Sequence, residues 1–256
     1  MLDLTCFSAD LVLSPDERDD DVPEPPKEPV SKLGDIYQLG RHRVACGDST
    51  KLEDVERLMN GQKADLVFTD PPYGIGYEYN KHKDQNGAEY LNFCETWFKI
   101  LQEKADLIII TTGWAYKQFW YSKLPYDEMQ WIMKGKHSGG KASNFRLAEP
   151  IFVFGKIRHK YDFDVFETTN KLQYAGEVNL RDLHSCPKPV DLICELVVKQ
   201  IDLGEMVLDV FLGSGTTLIA AEKTNRICYG MEIDPRYVDV AVERWQNYTG
   251  LKAIKL

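Results

Sequence analysis

The chain has 256 residues, 43% of them hydrophobic and 28% charged, which is ordinary for a globular domain and excludes a fibrous or wholly disordered chain. No apolar run approaches the ~20 residues needed to span a membrane, and the acidic N-terminus lacks the basic start of a signal peptide. Six cysteines without C-x-x-C spacing argue against a metal site and a secreted disulfide framework, and for a reducing cytoplasm.

The net charge of −9 is unevenly spread. Residues 1–30 carry nine acidic and two basic side chains, so the remainder is close to neutral. Residues 134–160 carry seven Lys or Arg, two His and a single acid, Glu149. Local charge, rather than the total, attracts phosphate.

In chain order, residues 2–7 suit an edge strand or docking peptide, although a flexible tail is the simpler reading. Residues 14–30, rich in Pro, Asp and Glu, read as a flexible acidic linker. Segment 1–30 is therefore expected to stand apart from a single domain over 31–256. A hairpin is predicted at 36–40 and 42–46, a helix at 51–60 and a buried strand at 64–69. A polar, glycine-containing mobile loop over 74–87 precedes a helix at 88–103 and a strand at 106–111. An aromatic helical segment is expected at 114–123, and strands at 128–133 and 149–155. Residues 157–183 read as irregular. Helices at 189–202, 215–225 and 235–247 then alternate with strands at 206–211 and 226–231. The alternation indicates an α/β fold with a doubly wound, mainly parallel sheet.

The strand at 64–69 runs into Asp70-Pro71-Pro72-Tyr73. A carboxylate there lies at the carboxyl edge of the sheet, where open α/β folds bind ligands. Two prolines hold the backbone extended and remove two N–H donors, so the Asp70 and Pro71 carbonyls can face something other than a strand. Acceptors beside an aromatic ring suit a planar ring bearing an amino group. A second motif, Met206-Val-Leu-Asp209-Val-Phe211-Leu-Gly213-Ser214-Gly215-Thr216-Thr217, joins a strand to a helix through a glycine turn. Gly230-Met-Glu232-Ile-Asp-Pro235 follows. The turn lacks the third glycine of a dinucleotide fingerprint and the lysine of a nucleotide P-loop.

Asp70–Tyr73 resembles the catalytic motif of the amino-methyltransferases, and the second motif resembles their S-adenosylmethionine-binding strand, turn and helix. His184-Ser-Cys-Pro-Lys188-Pro189 is similar to the Lys-Pro segment that precedes it. Catalytic motif first and cofactor motif last is the permuted order of the β group of DNA amino-methyltransferases, and the resemblance covers about residues 31–248. It implies a Rossmann-like methyltransferase fold and transfer of a methyl group to an exocyclic nitrogen of a flipped-out base. Asp70 and Pro71 would accept the amine, Pro72 would hold the turn, and Tyr73 would stack on the base. Asp48 would meet the cofactor adenine, Lys188 its carboxylate, Asp209 its ammonium and Glu232 its ribose. Phe211 would pack against it, with Gly213, Ser214, Gly215 and Thr216 forming the turn.

Phosphate contacts are expected at Lys134, Lys136, Lys141, Arg146, Lys156, Arg158 and Lys160, within a small basic and target-recognition region at about 134–183. The space between them and the Lys-Pro segment is short, which implies a short or relaxed recognition sequence, or reading shared with a second subunit or another domain. Asp at position 70 is the form common among adenine-N6 enzymes. Cytosine-N4 methylation is the alternative on the same fold, and a catalytically silent DNA-binding or regulatory subunit is the alternative from another class. A homodimer, or an upstream partner domain joined through the acidic leader, is implied by resemblance alone.

Overall fold

The computed structural model describes residues 18–74, 78–79, 82–83, 87–134, 148–162, 164–169 and 188–256. In chain order these form β1 (Ile36–Leu39), β2 (His42–Cys46), α1 (Leu52–Met59), β3 (Leu66–Thr69), β4 (Glu78–Tyr79), β5 (His82–Lys83), α2 (Gly87–Lys104) and β6 (Leu107–Thr111). A 3₁₀ turn (Trp114–Tyr116) then leads into α3 (Lys117–Ser122), β7 (Asp127–Lys134), β8 (Ala148–Gly155) and β9 (Val165–Thr169). The chain ends in α4 (Val190–Val198), β10 (Met206–Asp209), α5 (Thr216–Lys223), β11 (Ile227–Glu232), α6 (Pro235–Thr249) and β12 (Ile254–Lys255). Among these residues no helix is long and apolar enough to cross a membrane.

Among the described residues ten strands make one sheet in the order β12-β1-β2-β11-β10-β3-β6-β8-β7-β9, and β4 pairs with β5. The five central strands, β2, β11, β10, β3 and β6, run parallel. The flanks are antiparallel apart from β9, which lies parallel to β7. The central strands are apolar almost throughout because both faces are covered. Successive residues serve opposite cores, with period two. Leu66 and Phe68 join the side covered by α4, α5 and α6, where Val190, Leu218 and Trp245 lie. Val67 joins the other, with Trp97 and Phe98 of α2 and Trp120 of α3.

Two differences from the sequence expectation matter for function. Segment 157–183 is not wholly irregular: β9 forms within it and turns Phe166 into the core. The acidic leader is not loose over 18–21, since Asp19 is buried and bound to Lys223 and Arg244. An ion pair to Lys223 and a hydrogen bond from Arg244 to the Asp19 carbonyl hold it there. The expected strand at 2–7 lies outside the described residues, as does most of the loop after Tyr73.

The sheet order sets the site. From β3 the chain passes through α2 to β6 on one side; from β10 it passes through α5 to β11 on the other. β3 and β10 are neighbours, so their carboxyl ends flank a topological switch point, where such sheets open a crevice for ligands.

Candidate active site

Asp70 follows β3 directly and its carboxylate is held on three sides. Thr111 Oγ1, at the end of β6, donates to Oδ1 at 2.5 Å, and Tyr73 OH reaches the same oxygen at 3.0 Å. Lys188 Nζ donates to Oδ2 at 2.7 Å. That ammonium also donates to Tyr73 OH at 2.8 Å and lies 3.5 Å from Glu149 Oε2. Tyr73 OH is 2.9 Å from the same Glu149 oxygen, so its single proton serves one carboxylate at a time. The Lys188 side chain is only 3% exposed. A cation so buried needs paired charge, and Asp70 and Glu149 supply it. The Lys-Pro resemblance implies that Lys188 meets the cofactor carboxylate; without ligand its ammonium is engaged in the Asp70 cluster.

The turn after Asp70 is fixed from below. Tyr90 OH of α2 donates to the Pro72 carbonyl at 2.8 Å. Gly74 has φ +68°, and a Cβ there would fall 2.6 Å from both the Tyr116 and the Tyr90 rings. Gly74→Ala is expected to cost about 2 kcal/mol from strain and overpacking, a fall in Tm of roughly 4–8 °C for a chain of this size. Gly61, at φ +77° with open space around it, separates the two causes. Equal losses in Gly61→Ala and Gly74→Ala, followed by circular dichroism on heating, would show that ring crowding contributes nothing.

The glycine turn leaves β10 next door. Thr69 Oγ1, one residue before Asp70, donates to Asp209 Oδ1 at 2.6 Å, which ties the ends of β3 and β10 together. Phe211 N also donates to Asp209 Oδ1, at 3.0 Å, and Thr217 Oγ1 to Oδ2, at 2.6 Å. Burial pushes the Asp209 carboxyl up to about 6 against these bonds. Expected at a cofactor ammonium, Asp209 is turned inward, bracing the strand end and the first turn of α5. Gly213 and Gly215 have φ +54° and +86°, and a Cβ on Gly215 would press on Ala241 Cβ of α6 at 3.0 Å. The Phe211 ring packs on Phe93 and Trp97 of α2, with centroids 5.8 and 5.3 Å away.

Glu232 ends β11, half-buried. Gly213 N donates to its Oε2 at 3.0 Å and Asp234 N to its Oε1 at 2.8 Å. Burial raises its carboxyl to about 7. β2 is paired with β11, and Gly47 N donates to the Glu232 carbonyl at 3.0 Å, so Asp48 stands on the adjacent strand end. Asp48 Oδ1 accepts from Thr50 N and Thr50 Oγ1 at 2.9 and 2.7 Å, as a turn aspartate does.

The profile of the family described as DNA methylase matches residues 64–243, from the start of the Asp70 strand to α6. The chain belongs to the N6/N4 DNA methylase family. It is 26% identical over 246 residues to the type II methyltransferase M.HpaI of Haemophilus parainfluenzae, covering 83% of this chain and 77% of that one. To M1.MboII of Moraxella bovis it is 25% identical, covering 78% and 94%. Among solved structures, the cytosine-N4-specific PvuII DNA methyltransferase superposes with a TM-score of 0.62 at 18% identity, covering 83% of this chain and 90% of that one. The complex of M1.HpyAVI with S-adenosylmethionine superposes with a TM-score of 0.55 at 18% identity, covering 78% and 97%. At these identities the structural matches speak for the fold.

For a DNA methylase the basic residues divide in a way their clustering in sequence conceals. β7 ends at Lys134 and β8 begins at Ala148, both at the carboxyl edge beside Asp70, because β7 runs with β6 and β8 against it. Lys136, Lys141 and Arg146 lie in the intervening stretch, outside the described residues. β8 then crosses the sheet, placing Gly155 opposite Leu107, the first residue of β6. Lys156, Arg158 and Lys160 therefore follow the far, amino edge. Arg158 is bonded there to Glu205, with Asp65 and Asp202 at 3.6 and 3.7 Å, and the Glu205 carboxylate raises its guanidinium above the usual range. The structure therefore puts these three expected phosphate contacts at the edge of the sheet opposite Asp70. Three site residues went unnoticed in sequence: Thr69, Thr111 and Glu149. Glu149 had a signal, as the one acid in the basic stretch.

Proposed function

We propose that this DNA methylase transfers a methyl group from S-adenosylmethionine to the exocyclic N6 of adenine, after the base has been flipped out of the duplex. The observation that carries the reading is the Thr69–Asp209 bond of 2.6 Å, which places the acceptor turn and the glycine turn at adjacent strand ends. The chemistry of the donor and acceptor set fits the cofactor. Glu232 is a carboxylate whose two oxygens are oriented by backbone N–H groups beside a glycine turn, which suits a vicinal diol. The partly exposed Phe211 ring offers an apolar wall. When bound, the cofactor supplies an electrophilic methyl group.

The protein's part is to hold and reshape the amine. The lone pair of an exocyclic amine is delocalised into its ring, and transfer requires a pyramidal nitrogen. A carboxylate offers about four lone-pair sites. Thr111 and Tyr73 engage Asp70 Oδ1 and Lys188 engages Oδ2, which leaves room on Oδ2 for one N–H. The Pro71 carbonyl accepts the other. Two fixed acceptors favour a tetrahedral nitrogen over a planar one and stabilise positive charge growing on it. The Tyr73 ring, oriented through its hydroxyl by Glu149 and Lys188, offers the stacking face.

Asp rather than Ser at position 70 favours adenine. The test is to digest methylated mixed-sequence DNA to nucleosides and weigh them: N6-methyladenosine as its deoxynucleoside is expected, and N4-methyldeoxycytidine would replace this reading with the cytosine one.

A further inference from the structure

The acidic stretch that begins the described chain is built into the base of the glycine turn. Arg244, on α6, is 3% exposed. Its Nη1 donates to the Ser214 carbonyl at 3.1 Å and to Thr216 Oγ1 at 3.2 Å, both within the turn. Its Nη2 donates to the Asp19 carbonyl at 2.6 Å. The Asp19 carboxylate, also 3% exposed, accepts from Lys223 Nζ at 2.5 Å, at the far end of the helix that the turn begins. Asp20 Oδ1 accepts from Val190 N at 3.2 Å, two residues after Lys188. Further along, Val30 N and Ser31 N donate to Asp239 of α6 at 2.6 and 3.1 Å. One short segment thus grips the helix after the glycine turn, the start of the helix after Lys188, and, through Arg244, the glycine turn itself.

We propose that Asp19 and Asp20 form a strap that positions the cofactor site, with Arg244 as the residue that transmits its hold to Ser214 and Thr216. The inference rests on the reading of the glycine turn as the cofactor site. Arg244 touches no reacting atom; it is a positioning residue. Its planar fork spans carbonyls on opposite sides, and a lysine ammonium on a single stem cannot reach both. Desolvation lowers the guanidinium to about 10, so it stays a cation at neutral pH. Neutralising Asp19 and Asp20 weakens the strap while leaving Arg244 in place. Either change loosens the turn before a ligand arrives, so ordering it then subtracts from affinity.

The experiment compares the wild-type chain with Arg244→Lys, with Asp19→Asn combined with Asp20→Asn, and with Glu232→Gln, by isothermal titration of S-adenosylmethionine and by steady-state kinetics. Loss of one or two charge-assisted hydrogen bonds should weaken cofactor binding about tenfold in Arg244→Lys, and about fivefold in the double variant. KM for the cofactor rises to match, while kcat at saturating cofactor and affinity for duplex DNA hold. A purely structural role would lower Tm and the active fraction without that split. If Glu232→Gln weakens binding and neither strap variant does, the strap inference is overturned and the cofactor site stands. If Glu232→Gln has no effect either, the cofactor-site reading fails and the strap inference goes with it.

Discussion

Asp70→Ala is expected to slow methyl transfer about 10³-fold in single-turnover assays with labelled cofactor, the scale seen when a group aimed at developing charge is removed. Three losses combine. The amine loses its carboxylate acceptor. The Thr111 hydroxyl loses its partner at 2.5 Å. Lys188, 3% exposed, loses its 2.7 Å partner and is left beside Glu149 at 3.5 Å, which invites it to shift into the space the base needs. Asp70→Asn should fall between the two: the amide oxygen still accepts, but only one of its two polar atoms does, so Thr111, Lys188 and the substrate amine compete for it. Cofactor affinity should hold within about threefold in both variants, because the glycine turn is anchored through Thr69, Asp209 and Glu232, not through Asp70. Wild-type rates in Asp70→Ala would remove the chemistry from this strand end altogether.

The parallel centre was legible because it is written in runs that nothing else explains. Leu66–Thr69, Leu107–Thr111 and Met206–Asp209 are short, apolar on both faces and spaced by helical patterns. The two motifs were legible because prolines and glycines mark where the chain must turn at a strand end. Which strand ends are neighbours is a property of the sheet order, and periodicity is silent about it. Asp70 and Asp209 are 139 positions apart in the chain, yet the Thr69 hydroxyl joins their strands directly.

The basic stretch shows the same limit more sharply. Counting charge along 134–160 treats the residues as one patch. An eight-residue strand of ~3.3 Å per residue carries its end ~25 Å from its start, so β8 separates Glu149, in the Asp70 cluster, from Arg158, among Glu205, Asp202 and Asp65. The acidic leader shows the limit from the opposite side. Its composition is that of a solvated linker, and nothing local reveals that Arg244 and Lys223, more than 200 positions on, present buried cations to Asp19.

Cofactor affinity should strengthen about tenfold between pH 6 and pH 8, because Glu232 has a carboxyl raised to about 7 from a model-peptide value of 4.5, and only the ionised form accepts both ribose hydroxyls. Stability without cofactor should move the other way. A carboxyl whose folded value is raised binds its proton more tightly in the native state. Its contribution is present in full below about 4.5 and is lost as pH rises through about 7. Asp209, raised to about 6, adds to that stability trend, but its oxygens face inward on Thr69, Phe211 and Thr217 and should not shape cofactor binding. Glu232→Gln separates the two. Its amide nitrogen would face the Gly213 or Asp234 N–H, donor against donor, and it carries no charge to gain. Binding should weaken about 100-fold at pH 8 and lose most of its pH dependence, while the Asp209 share of the stability trend persists. Titration calorimetry across pH 6–8 reads the first effect and thermal unfolding of the ligand-free protein the second. A wild-type affinity that stays flat over this range would mean that the β11 carboxylate does not hold the ribose.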